Sequence, residues 1–327
     1  MDATEGTQPQ LLQTLTNDGV VEPQPMLTLP GVLDYLTHYG HLPFDWRNWQ
    51  DMSVDDVVEA IKSFQSFFNL VPDGQAGPKT MRAMLTTSRC GCPDIVRPHH
   101  TEFMRLQEAA AAKLAEWTKR SLTYFINGYV SGIAPDVQKG IVAQAFKSWT
   151  DLANIQIQPL SSAGGQPDLV VDVGKGATQQ FDGPGGVLAW AYMPDGNDQQ
   201  LYMRFDLAET WINDPAQRGI LMLNVAAHEF GHLLGLSHSK VNTALMAPYY
   251  NPGIASPQAN DDIPRVQARY GAALGSAGST PPPSGTSTVT ILGAIQSITV
   301  PTIPAGTSVP RASLVVTGRV DSVSKSP

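Results

Sequence analysis

Cysteine and charge are scarce in this chain, and long apolar runs are missing. Among 327 residues there are two cysteines, Cys90 and Cys92, and only 15% of the residues are charged. A disulfide between cysteines one residue apart would close a strained ring, so the pair is interpreted as free thiols rather than as a staple. No run of about 18 apolar residues occurs, which predicts no membrane-spanning helix and no membrane partner.

Positive charge is also in short supply, with 21 lysines and arginines against 29 acidic residues and a net charge of −8. Nucleic-acid binding depends on neutralising phosphates, so the sequence predicts no nucleic-acid partner. The start, from Met1 to Glu5, lacks the basic and then apolar regions of a secretory signal. Either a signal has been removed or the protein is not exported by that route, and the sequence leaves both open.

Composition and periodicity divide the chain into segments. Residues 1–28 are polar with scattered prolines and are expected to be disordered. Residues 29–95 place apolar residues at spacings of three and four in three stretches, which predicts a small three-helix domain. Residues 96–120 are predicted to form a connector. Strand and helix patterns then follow one another over residues 121–272, which predicts an α+β domain.

The remaining C-terminal part has a different composition. Residues 273–288 are rich in Gly, Ser, Pro and Thr and are interpreted as a linker. Residues 289–327 are rich in Val, Ile, Thr and Pro, which fits either a small β unit or a partly ordered tail. No role is assigned to them.

The most informative run is H-E-F-G-H-L-L-G-L-S-H, from His228 to His238. His228 and His232 lie four residues apart, so on a helix both imidazoles project from one face. Gly235 would end that helix, because glycine takes the left-handed conformation at little cost, and the chain could then turn back to bring in His238. Three nitrogen ligands leave the fourth position of tetrahedral zinc open, which is typical of a catalytic site.

Glu229 adjoins the first of these histidines. It is predicted to take a proton from a zinc-activated water and to deliver it to the leaving amine. The alternative is a helix with incidental histidines, but a chance match to all five fixed positions is on the order of 1 in 10⁵ in a chain of this length.

This run resembles the signature of the metzincins. The segment from Ala244 to Tyr250, A-L-M-A-P-Y-Y, resembles the Met-turn and specificity loop of the matrixins, the matrix metalloproteinase family. The resemblance implies a metzincin catalytic domain, a twisted mixed sheet with three helices, that cleaves protein or peptide substrates with zinc. It also implies that Met246 lies beneath the metal and that Pro248 and Tyr250 line the pocket for the side chain after the cleaved bond.

The segment from Phe181 to Ala189 is similar to the calcium loop of that family and the edge strand after it. The resemblance implies that a bound peptide pairs with this strand at Leu188 and Ala189. It also implies one calcium site, because hard oxygen ligands suit calcium. Its ligands would be Asp182, Gly183, Gly185, Val187, Asp206 and Glu209. An ordinary glycine-rich turn with solvated acids is the alternative.

Two further metal sites of the family are not expected. The positions of its structural zinc align with residues that are not zinc ligands, namely Lys175, Ala177, Trp190 and Arg204. A second calcium site is in doubt, because an expected aspartate aligns with Tyr202. The predicted cofactors are therefore one catalytic zinc ion and calcium.

Residues 89–94, R-C-G-C-P-D, resemble the matrixin cysteine switch and are called the latch below. A thiolate is a strong zinc ligand, and the resemblance implies that Cys90 fills the open zinc position in an inactive zymogen. Arg89 and Asp94 would fix the latch through a salt bridge. Cys92 stands where the family does not usually have cysteine, so which thiol binds stays open, with Cys90 favoured by motif position.

The helical domain before the latch resembles the peptidoglycan-binding-like prodomain of matrixins, and His38 and His41 are expected at or near its surface. Activation would need a cut between about residues 95 and 121, by another protease or by autocleavage. The resemblance implies a secreted, monomeric enzyme. The competing function is a decayed metzincin that binds glycan or protein, and the intact Glu229 argues against decay.

Overall fold

The computed structural model describes residues 12–15, 21–24, 27–43, 45–48, 52–96, 116–273, 288–289 and 298–299. Most of the predicted connector and of the C-terminal tail therefore lies outside the described residues. The chain divides into two units, residues 1–274 and 275–327. In the second unit, Thr288–Val289 and Ile298–Thr299 pair as short antiparallel strands. None of the described helices combines the length and the apolar character needed to cross a membrane.

The N-terminal segment, predicted to be disordered, contains two short paired strands. Strand β1 (Leu12–Leu15) pairs antiparallel with β2 (Val21–Gln24), so the prediction was wrong for these residues.

Three helices follow, as predicted: α1 (Leu29–His38), α2 (Val54–Phe67) and α3 (Pro78–Thr86). We call them the prodomain. Ser53 begins α2 with a capping box, in which its hydroxyl accepts from the Asp56 amide and the Asp56 carboxylate accepts from the Ser53 amide. The apolar faces of the helices meet in one core, whose buried members are Val32, Leu33, Leu36, Leu42, Ala60, Ile61, Phe64 and Met84.

A six-stranded sheet organises the rest of the first unit. Its strands are β3 (Arg89–Cys90), β4 (Ser121–Ile126), β5 (Gln156–Pro159), β6 (Leu169–Gly174), β7 (Val187–Ala191) and β8 (Leu201–Asp206). Their spatial order is β3-β7-β8-β6-β4-β5, and every pair is parallel except β7 with β8. The predicted mixed sheet is confirmed. Strand β3 carries the first two latch residues, so the latch extends this sheet at its β7 edge.

Two helices pack together behind the sheet, α4 (Pro135–Thr150) and α5 (Met222–Leu233). The rings of Phe146 and Phe230 lie 4.2 Å apart, and the Trp149 indole donates to the Ala227 carbonyl at 2.8 Å. Helix α5 begins directly after a short strand. The residues before it form β10 (Ile220–Leu221), which pairs with β9 (Trp211–Ile212). The last described helix is α6 (Asp262–Tyr270).

Candidate metal centre and latch

Three histidines converge at the C-terminal end of α5. His228 and His232 project from one face of the helix, and Gly235 follows with a φ of +83°, in the left-handed region where glycine is favoured. The chain then reverses and brings His238 into place, with its Nε2 at 3.3 Å from the Nε2 of His228. All three side chains are buried.

The hydrogen bonds of these rings fix which nitrogen carries the proton. The Nδ1 atoms of His228 and His232 donate to the carbonyls of Leu245 and Leu236, both at 2.7 Å. Because Nδ1 must hold the hydrogen to donate, each Nε2 is left with a lone pair directed at the common centre. Lone pairs so close together need a cation between them, and imidazole nitrogens suit zinc. The donor set therefore fits a zinc ion.

Cys90 completes the set. Its Sγ lies 3.5 Å from the Nε2 of His232, and one ligand atom from each of the four residues lies within 4.8 Å of every other. Burial raises the pKa of the Cys90 thiol, whereas a metal ion would favour the thiolate. Three nitrogens and one sulfur make a closed tetrahedral donor set.

Cys92 is placed differently from Cys90. Its thiol donates to the Ala191 carbonyl at 3.2 Å, and its amide donates to the Cys90 sulfur at 3.3 Å. It belongs to a second cluster with Cys90, Glu229 and His232, which includes only one of the three histidines. The geometry thus favours Cys90 as the thiol that faces the metal position.

Glu229 lies beside this centre and is fully buried. Neither of its carboxylate oxygens has a hydrogen-bond partner among the described residues. Burial raises the pKa of Glu229 to about 8, because the charged form has lost its hydration. A carboxyl group in this state can accept and release a proton near neutral pH.

The latch backbone fills the cleft between the β7 edge and the loop after Met246. The amides of Arg89 and Gly91 donate to the carbonyls of Gly186 and Ala189 at 3.0 and 2.8 Å. On the other side, the Cys90 amide donates to the Pro248 carbonyl at 3.0 Å. The latch therefore takes up the pairing groups that an extended peptide would need.

The predicted ion pair of the latch forms, with the Arg89 guanidinium 2.5 Å from Asp94 Oδ1. Asp94 also accepts from Nδ1 of His238 at 2.8 Å and contacts Nε2 of His41 at 2.9 Å. Burial would raise the pKa of Asp94, but the Arg89 charge and the hydrogen bonds from the histidines hold it well below its usual range. Asp94 is therefore ionised inside the protein.

The expectation that His41 lies near the surface was wrong. Its side chain is buried, and its Nδ1 lies 3.0 Å from the Ser63 hydroxyl of α2. The partner of its other nitrogen, Asp94, lies 53 residues away in the chain. No local pattern in the sequence could have signalled that contact.

Met246 is fully buried and packs against α5. A Cβ on Gly231 would come within 2.3 Å of the Met246 sulfur, so only glycine leaves room for it there. Asp262 stabilises the turn that contains Met246. Its carboxylate accepts from the amides of Leu245, Met246 and Gln258 at 2.7, 3.1 and 2.8 Å. Asp262 was not among the predicted site residues, although an acid at the start of a helix is a recognisable signal.

The predicted substrate pocket forms a cavity of about 30 Å³ in this state. Leu188, Pro248 and Tyr250 line it together with the latch residues Arg89 and Cys90. Asn224 also lines it and was missed, although it lies on α5 four residues before His228 and is polar within an apolar helix. Its amide nitrogen donates to the carbonyls of Asn251 and Pro252 at 3.1 and 3.0 Å.

The predicted calcium loop brings acids close to turning backbone. Asp182 accepts from the Val187 amide at 2.8 Å, and Glu209 accepts from the Gly185 amide at 2.6 Å. Gly183 and Gly185 have φ values of +96° and +94°, and the Gly185 carbonyl accepts from the Ser88 hydroxyl. Among the described residues, the groups of side chains whose ligand atoms all lie within 4.8 Å of one another are those around Cys90. The acids of this loop are therefore spaced more widely than the residues of those groups.

One carboxylate of this loop lacks a partner. Asp206 Oδ2 is buried with no hydrogen-bond donor among the described residues. Burial raises the pKa of both Asp206 and Glu209, and neighbouring carboxylates add to the effect. An unpaired buried oxygen beside other acids fits a cation such as calcium.

At the positions aligned with the family's structural zinc, the structure has other interactions. Arg204 forms an ion pair with Asp172 at 2.8 Å, and its guanidinium lies 5.1 Å from the centre of the Trp190 ring. The Trp190 indole in turn donates to the Gln179 carbonyl at 3.0 Å. Charge pairing and cation–π contact link the strands there.

Comparisons with known proteins agree with this geometry. Residues 116–271 match the family described as Matrixin, and residues 34–84 match a peptidoglycan-binding domain family. The chain is 31% identical to matrix metalloproteinase-25 of Mus musculus over 250 residues, which is 73% of this chain and 40% of the relative.

Two other relatives give the same result. Matrix metalloproteinase-19 of Homo sapiens is 31% identical over 242 residues, 73% of this chain and 45% of the relative. Stromelysin-1 of Equus caballus is 34% identical over 245 residues, 73% of this chain and 48% of the relative. The chain thus spans less than half of the length of these relatives.

Proposed function

This chain belongs to the matrixin family of metalloendopeptidases, and from that premise we propose that it is a zinc-dependent endopeptidase made as a latent zymogen. The observation that carries the proposal is the convergence of His228, His232 and His238, with Cys90 closing the set. Glu229 stands beside that set with both oxygens unpaired. The prodomain and the latch would together form the propeptide.

The chemistry is divided between the metal and one carboxylate. A zinc ion held by the three histidines would supply Lewis-acid polarisation of the scissile carbonyl and a lowered pKa for the attacking water. Glu229 accepts the proton of that water and passes it to the nitrogen of the leaving amine. Its two oxygens have no hydrogen-bond partner among the described residues, so the carboxylate is free to hold the proton between the two steps.

The substrate backbone is expected to replace the latch in the cleft. The carbonyls of Gly186, Ala189 and Pro248, which accept from the latch amides in the zymogen, would then accept from the substrate. The pocket beside Leu188 and Tyr250 would receive the side chain after the cleaved bond and favour an apolar residue. In the zymogen, a thiol rather than a peptide carbonyl faces the histidines, so we expect the latch itself to resist cleavage.

Removing the latch sulfur is expected to activate the uncleaved chain. Cys90→Ser exchanges a strong thiolate ligand for a weak hydroxyl one. Each loss of about 1.4 kcal/mol from the closed state raises the equilibrium constant for opening the latch about tenfold. We therefore expect zymogen activity on a quenched fluorescent peptide library to rise at least about tenfold. A chelator should abolish the activity, and added zinc should restore it.

The matched control is Cys92→Ser, which removes a sulfur of the same latch and should leave the zymogen inactive. A Cys90→Ser chain that stays inactive, while the chain cut between about residues 95 and 121 is active, would refute the latch. If the cut chain binds zinc but cleaves no peptide, the binding-module alternative replaces the protease.

We also propose that the loop from Asp182 to Val187 binds calcium together with Asp206 and Glu209. Calcium at 100 times its Kd would stabilise the fold by about 2.7 kcal/mol, so added calcium should raise the Tm of the wild-type chain. Asp206→Asn should remove most of that rise, because it takes away the charge of the buried, unpaired carboxylate. Asp214→Asn, the same change at an exposed acid, should keep it, and equal calcium responses in the two variants would exclude this site.

The remaining parts of the proposal rest on the family alone. They are a protein or peptide substrate, activation by another protease or by autocleavage, a monomeric state and an extracellular location. The competing function, a decayed metzincin that binds glycan or protein, is less well supported because the complete donor set and Glu229 are retained.

A further inference from the structure

The three metal-facing histidines differ in what orients them. His228 and His232 donate through Nδ1 to carbonyls of the same domain, those of Leu245 and Leu236. His238 instead donates through Nδ1 to the Asp94 carboxylate at 2.8 Å, across 144 residues of sequence. The third ligand is therefore oriented by a charged group of the latch.

Asp94 is held in place from the prodomain side. Its Oδ2 lies 2.9 Å from the buried His41, whose other ring nitrogen contacts Ser63 of α2, and its own amide donates to the Tyr39 carbonyl at 3.0 Å. The Arg89 guanidinium contacts its Oδ1. The carboxylate that meets His238 is thus fixed by the folded prodomain, and it is 3% exposed.

A carboxylate that accepts from the outer nitrogen of a ligating imidazole affects the metal ligand more strongly than a neutral carbonyl does. It fixes the tautomer and the ring plane, and its full charge makes the ligating nitrogen more basic. Loss of such a partner typically weakens metal binding by about 10–100-fold. We propose that Asp94 is a positioning residue for the zinc site, so that the propeptide holds the metal twice, through the Cys90 thiolate and through the Asp94–His238 hydrogen bond.

This inference rests on the proposed zinc site and adds a consequence for activation. When the propeptide leaves, His238 loses its carboxylate at the same time as the metal loses the thiolate. The cleaved form should therefore hold zinc more weakly than the loss of Cys90 alone would cause. The zymogen would be the state in which zinc is loaded and retained.

The test compares two full-length zymogens that both lack the latch arginine, Arg89→Gln and Arg89→Gln/Asp94→Asn. Starting from the arginine variant avoids leaving a buried guanidinium without its counter-charge when the carboxylate is removed. Asparagine keeps the shape and an acceptor oxygen but removes the charge. In competition with a chromogenic chelator, we expect the double variant to bind zinc about 10–100-fold more weakly than the single variant.

A spectroscopic measurement separates positioning from general damage to the fold. In the cobalt-substituted zymogens, each ligating histidine contributes a shifted, solvent-exchangeable Nδ1 proton signal. The signal of His238 should shift and exchange faster in the double variant, while those of His228 and His232 stay unchanged.

Equal zinc affinities, within about threefold, or uniform changes in all three signals would overturn the inference. Neither readout involves peptide cleavage. A failure here is therefore distinguishable from a failure of the protease proposal, which would appear as absent cleavage with the three proton signals intact.

Discussion

Replacing Glu229 by glutamine in the cleaved enzyme is expected to lower kcat/KM by about 10²–10⁴-fold. Glutamine keeps the volume of the side chain but cannot accept the proton of the attacking water. Glu229 is buried without a hydrogen-bond partner among the described residues, so no structural contact is lost with its charge. The loss should therefore fall on kcat, with little change in KM.

Zinc content is the internal control for this experiment. The three histidines that face the metal position are unaltered, so the variant should bind the same amount of zinc as the cleaved wild-type enzyme. Asp151→Asn, a similar change at an exposed acid that follows α4, should leave kcat/KM within about twofold. A zinc-loaded Glu229→Gln enzyme that keeps more than about a tenth of its activity would exclude Glu229 as the general base.

Replacing Asp262 by alanine is expected to lower the free energy of unfolding by about 3–5 kcal/mol. The buried carboxylate accepts three backbone amides, from Leu245, Met246 and Gln258. An unpaired buried amide costs about 1–3 kcal/mol, and alanine leaves all three without this acceptor. Denaturant unfolding of the zinc-loaded chain gives the measurement.

The same substitution should also weaken the zinc site. Asp262 accepts a hydrogen bond from the Leu245 amide, and the Leu245 carbonyl in turn accepts one from Nδ1 of His228. Leu245 thereby links Asp262 to the orientation of the His228 ring. Asp261→Ala is the matched control, because the neighbouring acid forms only a partly exposed ion pair with Arg265 and should cost no more than about 1 kcal/mol. Similar unfolding midpoints for the two variants would contradict the role assigned to Asp262.

The local elements of this protein follow from short-range patterns. The four-residue spacing of His228 and His232 determines that both lie on one face of α5, because the helical repeat is local. Gly235 marks the reversal that brings in His238, because its positive φ is cheap only for glycine. The six residues of the latch were likewise recognisable from the sequence alone.

Long-range partners were not readable in this way. Asp94 meets His238 across 144 residues and His41 across 53, and no spacing rule connects positions so far apart. The polar character of His41 suggested a position at the surface. Packing between the prodomain and the latch buries it instead. The polar character of Asn224 and Asp262 is evident from the sequence. Their hydrogen-bond partners lie in loops that fold onto them, and these partners could not be predicted.

The sequence by itself determined the proposed zinc donors, the proposed general base and the thiol motif, because each is encoded in a few consecutive residues. The tertiary structure decided which thiol faces the histidines, how the latch pairs with β7 and which group orients each ligand. These outcomes depend on how separate elements pack. Packing brings together residues that are far apart in the chain, and no local sequence pattern predicts such contacts.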